Sequence, residues 1–310
     1  MHKTAFIFPG QGAQYIGMGK DFYENFEESR EVFEIAKKAT ELDIAKLCFE
    51  ENEQLNQTEY TQICMLTTEA AILKAIEKRG IKASVCAGLS LGEYGALIAA
   101  NVLSLEDAFK LIRTRGILMQ NAYPSGGAMS AVLGMDAKQI EQICADTALE
   151  NPQEIVSIAN YNCPGQIVIT GSKDAVALAG TKCAEEGAKR VVPLKVSGPF
   201  HSKLLEQAGK ELGEFMQDMT FQTPVIPYVA NVTSQYCTDK DQIKHLLEQQ
   251  VAAPVRWQQS VERMIADGVD TFIEIGPGRT LSGFIKKINR EVTVMKVENL
   301  QDFDALIHQL

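Results

Sequence analysis

The stretch "VCAGLSLGEYGAL", Val85 to Leu97, constrains this chain more than any other. A short apolar run ends in Gly-x-Ser-x-Gly and passes at once into a run suited to a helix. That pattern fits a tight strand-to-helix turn, in which flanking glycines let the backbone pass closely while the serine hydroxyl projects. "TAFIFPG" and "TFIEIGPG" repeat the strand-then-turn pattern near the two ends, and "TTEAAILKAIEKRG" reads as a periodic helix. Strands alternating with helices predict an α/β fold with a largely parallel sheet, shared by segments far apart in sequence.

The middle of the chain follows another order. A strand at Ala128–Gly134, a helix at Asp136–Leu149, strands at Ile155–Ala159 and Gln166–Thr170, a helix at Lys173–Glu186 and a strand at Arg190–Leu194 spell β-α-β-β-α-β, the ferredoxin-like arrangement. Residues 125–197 are therefore expected to form a small subdomain inserted into a larger α/β subdomain made of 1–124 and 198–310.

A chain of 310 residues, 45% hydrophobic and 23% charged, has the composition of a globular protein and needs no metal or disulfide staple. Its seven cysteines are scattered without metal-ligand spacing, which predicts reduced, buried thiols and no metal site. The net charge of −10 argues against nucleic acid as a partner. No apolar run reaches the ~18 residues of a membrane span, and the apolar core of "KTAFIFPG" is too short for a signal peptide, so a cytoplasmic location is expected.

If Ser90 is a nucleophile, the chain must supply a base and an oxyanion site; otherwise Gly88, Ser90 and Gly92 only shape a turn. Of four histidines, His2 and His308 lie near the ends and His245 sits in the charged run "DKDQIKHLLEQQ". His201, in the loop "VSGPFHS", is left as the candidate base, with a helix-capping or packed histidine as the competing reading. The N–H of Leu91 at the start of the helix, and that of Gln11 in the Gly-rich "FPGQGAQYIGMG", can face an oxyanion. The latter loop lacks the spacing of a phosphate-binding loop.

Arg115 is the third signal. In "LEDAFKLIRTRGILMQ", Leu105, Ala108, Leu111, Ile112, Leu118 and Met119 form an apolar stripe, with Arg115 at its middle and Arg113 on the opposite side. A guanidinium on a buried face needs an anion, either an internal Asp or Glu or a substrate carboxylate.

Together, "FPGQGAQYIGMG", "GLSLGEYGAL", "RTRGILMQ", "NYNCPGQIVITG", "VSGPFHS", "APVRW" and "EIGPGRTLSGFIKK" resemble, over essentially the whole chain, the malonyl-CoA:acyl carrier protein transacylases of bacterial type II fatty acid synthesis. The resemblance implies an α/β-hydrolase-like large subdomain with the ferredoxin-like insertion and an active site between them. It also implies a ping-pong reaction in which Ser90 carries malonyl from malonyl-CoA to the phosphopantetheine thiol of acyl carrier protein. By motif position His201 would be the base, its ring oriented by the backbone carbonyl of Gln250. Gln11 and Leu91 would supply the oxyanion hole, and Arg115 would hold the malonyl carboxylate. Asn160 and Asn162 would line the pocket, and Phe200 would leave little room for a 2-methyl branch. No cofactor is implied beyond the CoA of the substrate, and a monomer is expected. Many relatives have histidine where this chain has Leu89, a departure expected to alter packing or rate without loss of function.

The competing functions are a trans-acting polyketide acyltransferase, a serine thioesterase or esterase, and a noncatalytic CoA- or carrier-binding module. Carrier proteins are acidic, so docking would need local basic groups. Lys286, Lys287 and Arg290, or Lys189 and Arg190, are candidates, and solvated faces without a partner are the alternative.

Overall fold

The computed structural model describes residues 3–196 and 198–309; His2 lies outside them. The strands in chain order are β1 (Lys3–Phe8), β2 (Val85–Gly88), β3 (Gly127–Leu133), β4 (Val156–Cys163), β5 (Gln166–Ser172), β6 (Arg190–Pro193), β7 (Tyr228–Val229), β8 (Tyr236–Cys237), β9 (Val269–Ile275) and β10 (Thr293–Val297).

One sheet has the order β10-β9-β1-β2-β7-β8, parallel except for the β7–β8 pair. Its central strands are continuous apolar runs because both faces are covered. In β1, Phe6 and Phe8 enter one core while Ala5 and Ile7 enter the other, the period-2 alternation of a sheet between helical layers. The pairing of Phe8 with Gly88 and of Ile7 with Glu274 brings the carboxyl ends of β1, β2 and β9 level. Their following loops emerge together at that edge, where open α/β sheets place their sites.

The second sheet, β4-β5-β3-β6, is antiparallel throughout. Helices Ala137–Glu150 and Lys173–Glu185 close a separate core over one face. Helices Trp257–Ala266 and Thr280–Ile288, which belong to the large sheet, pack against β4. Two bonds stitch the units together: Tyr161 N–H donates to the Val255 carbonyl at 2.9 Å, and Val255 N–H to the Ala159 carbonyl at 2.8 Å. The α/β fold with a small antiparallel unit is the one expected.

Several boundaries differ. The strand expected to end at Ala159 runs on to Cys163, through register shifts at Ile158/Asn160 and Tyr161/Cys163. The bulges let two asparagines, ordinarily turn residues, remain within a strand. β3 and β6 each end one residue earlier than expected, at Leu133 and Pro193. The two-residue strands β7 and β8 were not expected at all, being too short to show periodicity.

Candidate active site

Ser90 lies two residues past the end of β2 with φ 55°, a left-handed conformation rare for a residue with a side chain. The surrounding glycines explain how it is held. A Cβ on Gly88 would lie 1.9 Å from the Gly92 carbonyl oxygen, and one on Gly92 would lie 2.2 Å from that of Phe8. The helix Gly92–Ala99 starts at once and carries its positive end towards Ser90. Asn231 clamps the turn: its Oδ1 accepts from Ser90 N–H at 2.7 Å, and its Nδ2 donates to the Gly88 carbonyl at 2.6 Å.

His201 reaches Ser90 across 111 residues of sequence, with Nε2 2.8 Å from Ser90 Oγ. Its Nδ1 lies 2.9 Å from the Gln250 carbonyl and 3.2 Å from that of Ala253. Carbonyls only accept, so Nδ1 carries the proton and Nε2 offers its lone pair to the serine hydroxyl. His201 also sits at positive φ, 60°. Burial, and then the nearby Arg115 charge, push its pKa down to about 4 against the pull of the two carbonyls, so the ring is neutral near pH 7.

The sign of the resulting pH dependence is fixed. Unfolded, the ring takes its proton near 6.5; folded, only near 4. The stability from burying it neutral is complete above about 6.5 and falls away as pH drops towards 4. Single-turnover acylation of Ser90 by acetyl-CoA is expected to stay level well below the pH at which an ordinary histidine protonates. An acid limb centred near 6.5 would show that the ring is not desolvated.

Arg115 lies in the helix Leu105–Ala122 and is completely buried. Its Nη1 donates to Gln62 Oε1 at 2.7 Å, and its Nη2 to Ser90 Oγ at 3.1 Å and Gln250 Oε1 at 3.0 Å. The guanidinium carbon is 5.4 Å from the centre of the Tyr94 ring, and Nε has no partner. The internal carboxylate left open by the sequence is not there: among the described residues no Asp or Glu forms an ion pair with Arg115. Desolvation lowers its pKa, but a guanidinium stays charged. Arg113, expected on the opposite side, is half-buried against Tyr60 and pairs with Glu59 at 2.7 Å.

A cavity of about 260 Å³ opens in front of this cluster. Gln11, Ser90, Leu91, Asn160, Asn162, Phe200 and His201 all line it, together with Leu89, Gln62 and Met119. Asn160 and Asn162, two apart in β4, face it from the same side of the strand. Gln250 and Arg115 stand behind the wall, Arg115 against Ser90 Oγ and Gln250 against the Ser90 carbonyl and His201. Among the described residues, the N–H groups of Gln11 and Leu91 donate to no protein acceptor, while the Gln11 side chain is tied to Thr58 at 3.0 Å.

Sequence reasoning missed Asn231, Gln62, Glu93 and the Ala253 carbonyl. Glu93 alone left a visible signal, as the one charged residue in the apolar helix "GEYGALIA". The seven cysteines are all buried and free. No cluster fit to hold a metal exists among the described residues, and none of their helices is long and apolar enough to cross a membrane.

A serine on a strained turn, a neutral histidine aimed at it and a cavity at the carboxyl edge of a parallel sheet define an acyl-transfer enzyme of the α/β-hydrolase-like class. The comparisons narrow that class. The sequence model of the acyl transferase domain matches residues 5–301. The malonyl CoA-acyl carrier protein transacylase of Bacillus subtilis (strain 168) is 43% identical over 312 aligned residues, covering 100% of this chain and 98% of the relative. The crystal structure of the Clostridium perfringens transacylase superposes with a TM-score of 0.95 at 44% identity, covering 99% of this chain and 96% of that one. A malonyl-transacylase solved in complex with its type II PKS acyl-carrier protein gives 0.96 at 37% identity, covering 99% and 100%. The chain belongs to the acyl transferase family.

Proposed function

We propose that this enzyme transfers malonyl from malonyl-CoA to the phosphopantetheine thiol of acyl carrier protein through a malonyl-serine at Ser90, supplying units for fatty acid synthesis. The observation that carries the reading is Ser90 Oγ, 2.8 Å from the neutral His201 Nε2 and 3.1 Å from a buried arginine without a carboxylate partner. A nucleophile beside a cation with no carboxylate in direct contact selects an acyl group that ends in an anion.

His201 takes the Ser90 proton as Oγ attacks the thioester carbon. The N–H groups of Gln11 and Leu91 receive the developing oxyanion. The imidazolium, oriented by the carbonyls of Gln250 and Ala253, returns its proton to the departing CoA thiolate. The carrier thiol then attacks the malonyl-serine, with His201 again exchanging the proton. The malonyl carboxylate takes the place of Gln62 and Ser90 Oγ on the Arg115 guanidinium. Asn160 and Asn162 line the path of the acyl thioester, and the Phe200 ring leaves little room for a 2-methyl branch.

Intact-protein mass spectrometry tests this reading. Wild type mixed with malonyl-CoA should gain one malonyl group and lose it to added holo carrier. Release of free malonate without a carrier would mark a thioesterase, and no adduct would mark a binding module.

The division into 1–124 with 198–310 and an inserted 125–197, a monomeric state and a cytoplasmic location belong to the same reading. For the carrier, the two candidate basic clusters lie along one edge. Lys287 Nζ donates to Gln166 Oε1 at 3.1 Å, and Leu133 pairs with both Gln166 and Arg190. Lys286 is partly spent on the segment that follows its helix, donating to the Val292 carbonyl at 2.6 Å. Reversing the charge of Lys189 and Arg190 is expected to raise the apparent KM for carrier severalfold at low salt and to spare that for malonyl-CoA. Unchanged carrier kinetics would remove this edge from the docking surface.

A further inference from the structure

Glu93 is buried one turn beyond the nucleophile, 1% exposed, and the mechanism above does not use it. Its Oε2 accepts from Gln250 Nε2 at 2.8 Å and from Asn231 N–H at 3.2 Å, while Oε1 has no partner. Both neighbours hold the reacting groups. Gln250 donates to the Ser90 carbonyl at 2.9 Å, accepts from Arg115 through Oε1 and from His201 through its backbone carbonyl; Asn231 accepts from Ser90 N–H. A carboxylate that only accepts fixes which way the Gln250 amide points, with the amide oxygen turned to the arginine.

We propose that Glu93 is a positioning residue and the resident counter-charge of Arg115, acting through the Gln250 amide, and that it takes up a proton when the substrate carboxylate reaches the arginine. This rests on the reading of Arg115 as the malonyl-binding group. With the site free, one buried cation faces one carboxylate across an amide. A bound malonyl adds a second negative charge to the same dry space, and an uncompensated buried charge is costly. Protonating Glu93 restores the balance; the proton comes from solvent and goes to the carboxylate.

The surroundings leave Glu93 free to do this. Burial pushes its pKa up to about 7, against the pull of Gln250, Asn231 and Arg115. The other titratable groups facing it are the phenols of Tyr94 on its own helix and Tyr228 on β7, and the Cys237 thiol on β8, all with raised pKa values and neutral near pH 7. Glu69, from the helix Thr58–Lys78, lies beside Gly95 and feels Glu274 instead.

The test compares wild type with Glu93→Gln, which keeps the shape and an acceptor. For wild type, kcat/KM with malonyl-CoA should fall roughly fivefold between about pH 7 and about pH 8, the slope for one proton taken up by a group titrating near 7. The profile should be flat for Glu93→Gln, and flat for both proteins with acetyl-CoA. A carboxylate that merely glues the fold would not separate the two substrates. If Glu93→Gln does not fold, Ser90→Ala protein mixed with malonyl-CoA in weak buffer at about pH 8 should take up close to one proton per site, and none with acetyl-CoA. Parallel malonyl profiles, or no proton uptake, would overturn the inference while leaving malonyl transfer intact. No malonyl adduct on wild type would overturn the reading of the site itself, and this inference with it.

Discussion

Ser90→Ala protein mixed with malonyl-CoA is expected to carry no malonyl group and to lose about 10⁴-fold or more in turnover. Removing a nucleophile or its base from such a pair has effects of that size, because the two act as one unit. His201→Ala should fall by a similar factor, and the double variant little further. The fold should survive Ser90→Ala. Asn231 and Gln250 grip the main chain at residue 90, through its N–H and its carbonyl, and neither bond involves the hydroxyl. Circular dichroism and intact mass on the same sample check both halves of the expectation, and a labelled Ser90→Ala protein would remove Ser90 as the nucleophile.

Arg115→Ala is expected to reduce kcat/KM for malonyl-CoA by about two to three orders of magnitude and to change that for acetyl-CoA much less. A buried charge contact between guanidinium and carboxylate is worth about 3–5 kcal/mol when one partner is deleted. The effect has two sources. The substrate anion loses its cation, and the cation that penalised uncharged acyl groups by remaining without a carboxylate in direct contact is gone. Arg115→Lys should recover only part of the difference, since an ammonium cannot grip a carboxylate with two parallel bonds. Equal losses on the two thioesters would show that Arg115 serves the fold around Gln62 and Gln250 and not the choice of substrate.

What could be read in the sequence was whatever depends on near neighbours along the chain. The turn around Ser90 announces itself because its glycines, its strand and its helix are consecutive. Arg115 stands out because a helix repeats every 3.6 residues and a charge on the apolar stripe breaks the pattern. The end of β4 was misplaced for the same reason in reverse: Asn160 and Asn162 look local, like turn residues, yet the pairing with β5 carries the strand through them. Asn231 and Gln62 left no local trace. Asn231 meets Ser90 across 141 residues and Gln62 meets Arg115 across 53, and each is an ordinary amide until the fold brings it there. Arg113 lies off the apolar stripe as expected, but its helix read alone shows no partner for it; Glu59 and Tyr60 of a neighbouring helix cover it.

The stitch at Val255 bears on how such proteins can exchange parts. The bonds from Val255 to Ala159 and Tyr161 bracket Asn160, and the backbone entering the stitch carries the two carbonyls that orient His201. Pocket wall and base support are thus one structural block, although about ninety residues of chain separate them. A graft of 127–193 from a homologue, cut where the chain enters and leaves the small sheet, would bring a β4 edge matched to a foreign 253–256 segment. Recombination that respects the chain would break the site; recombination that respects the stitch, moving 250–256 together with β4, would carry it over whole.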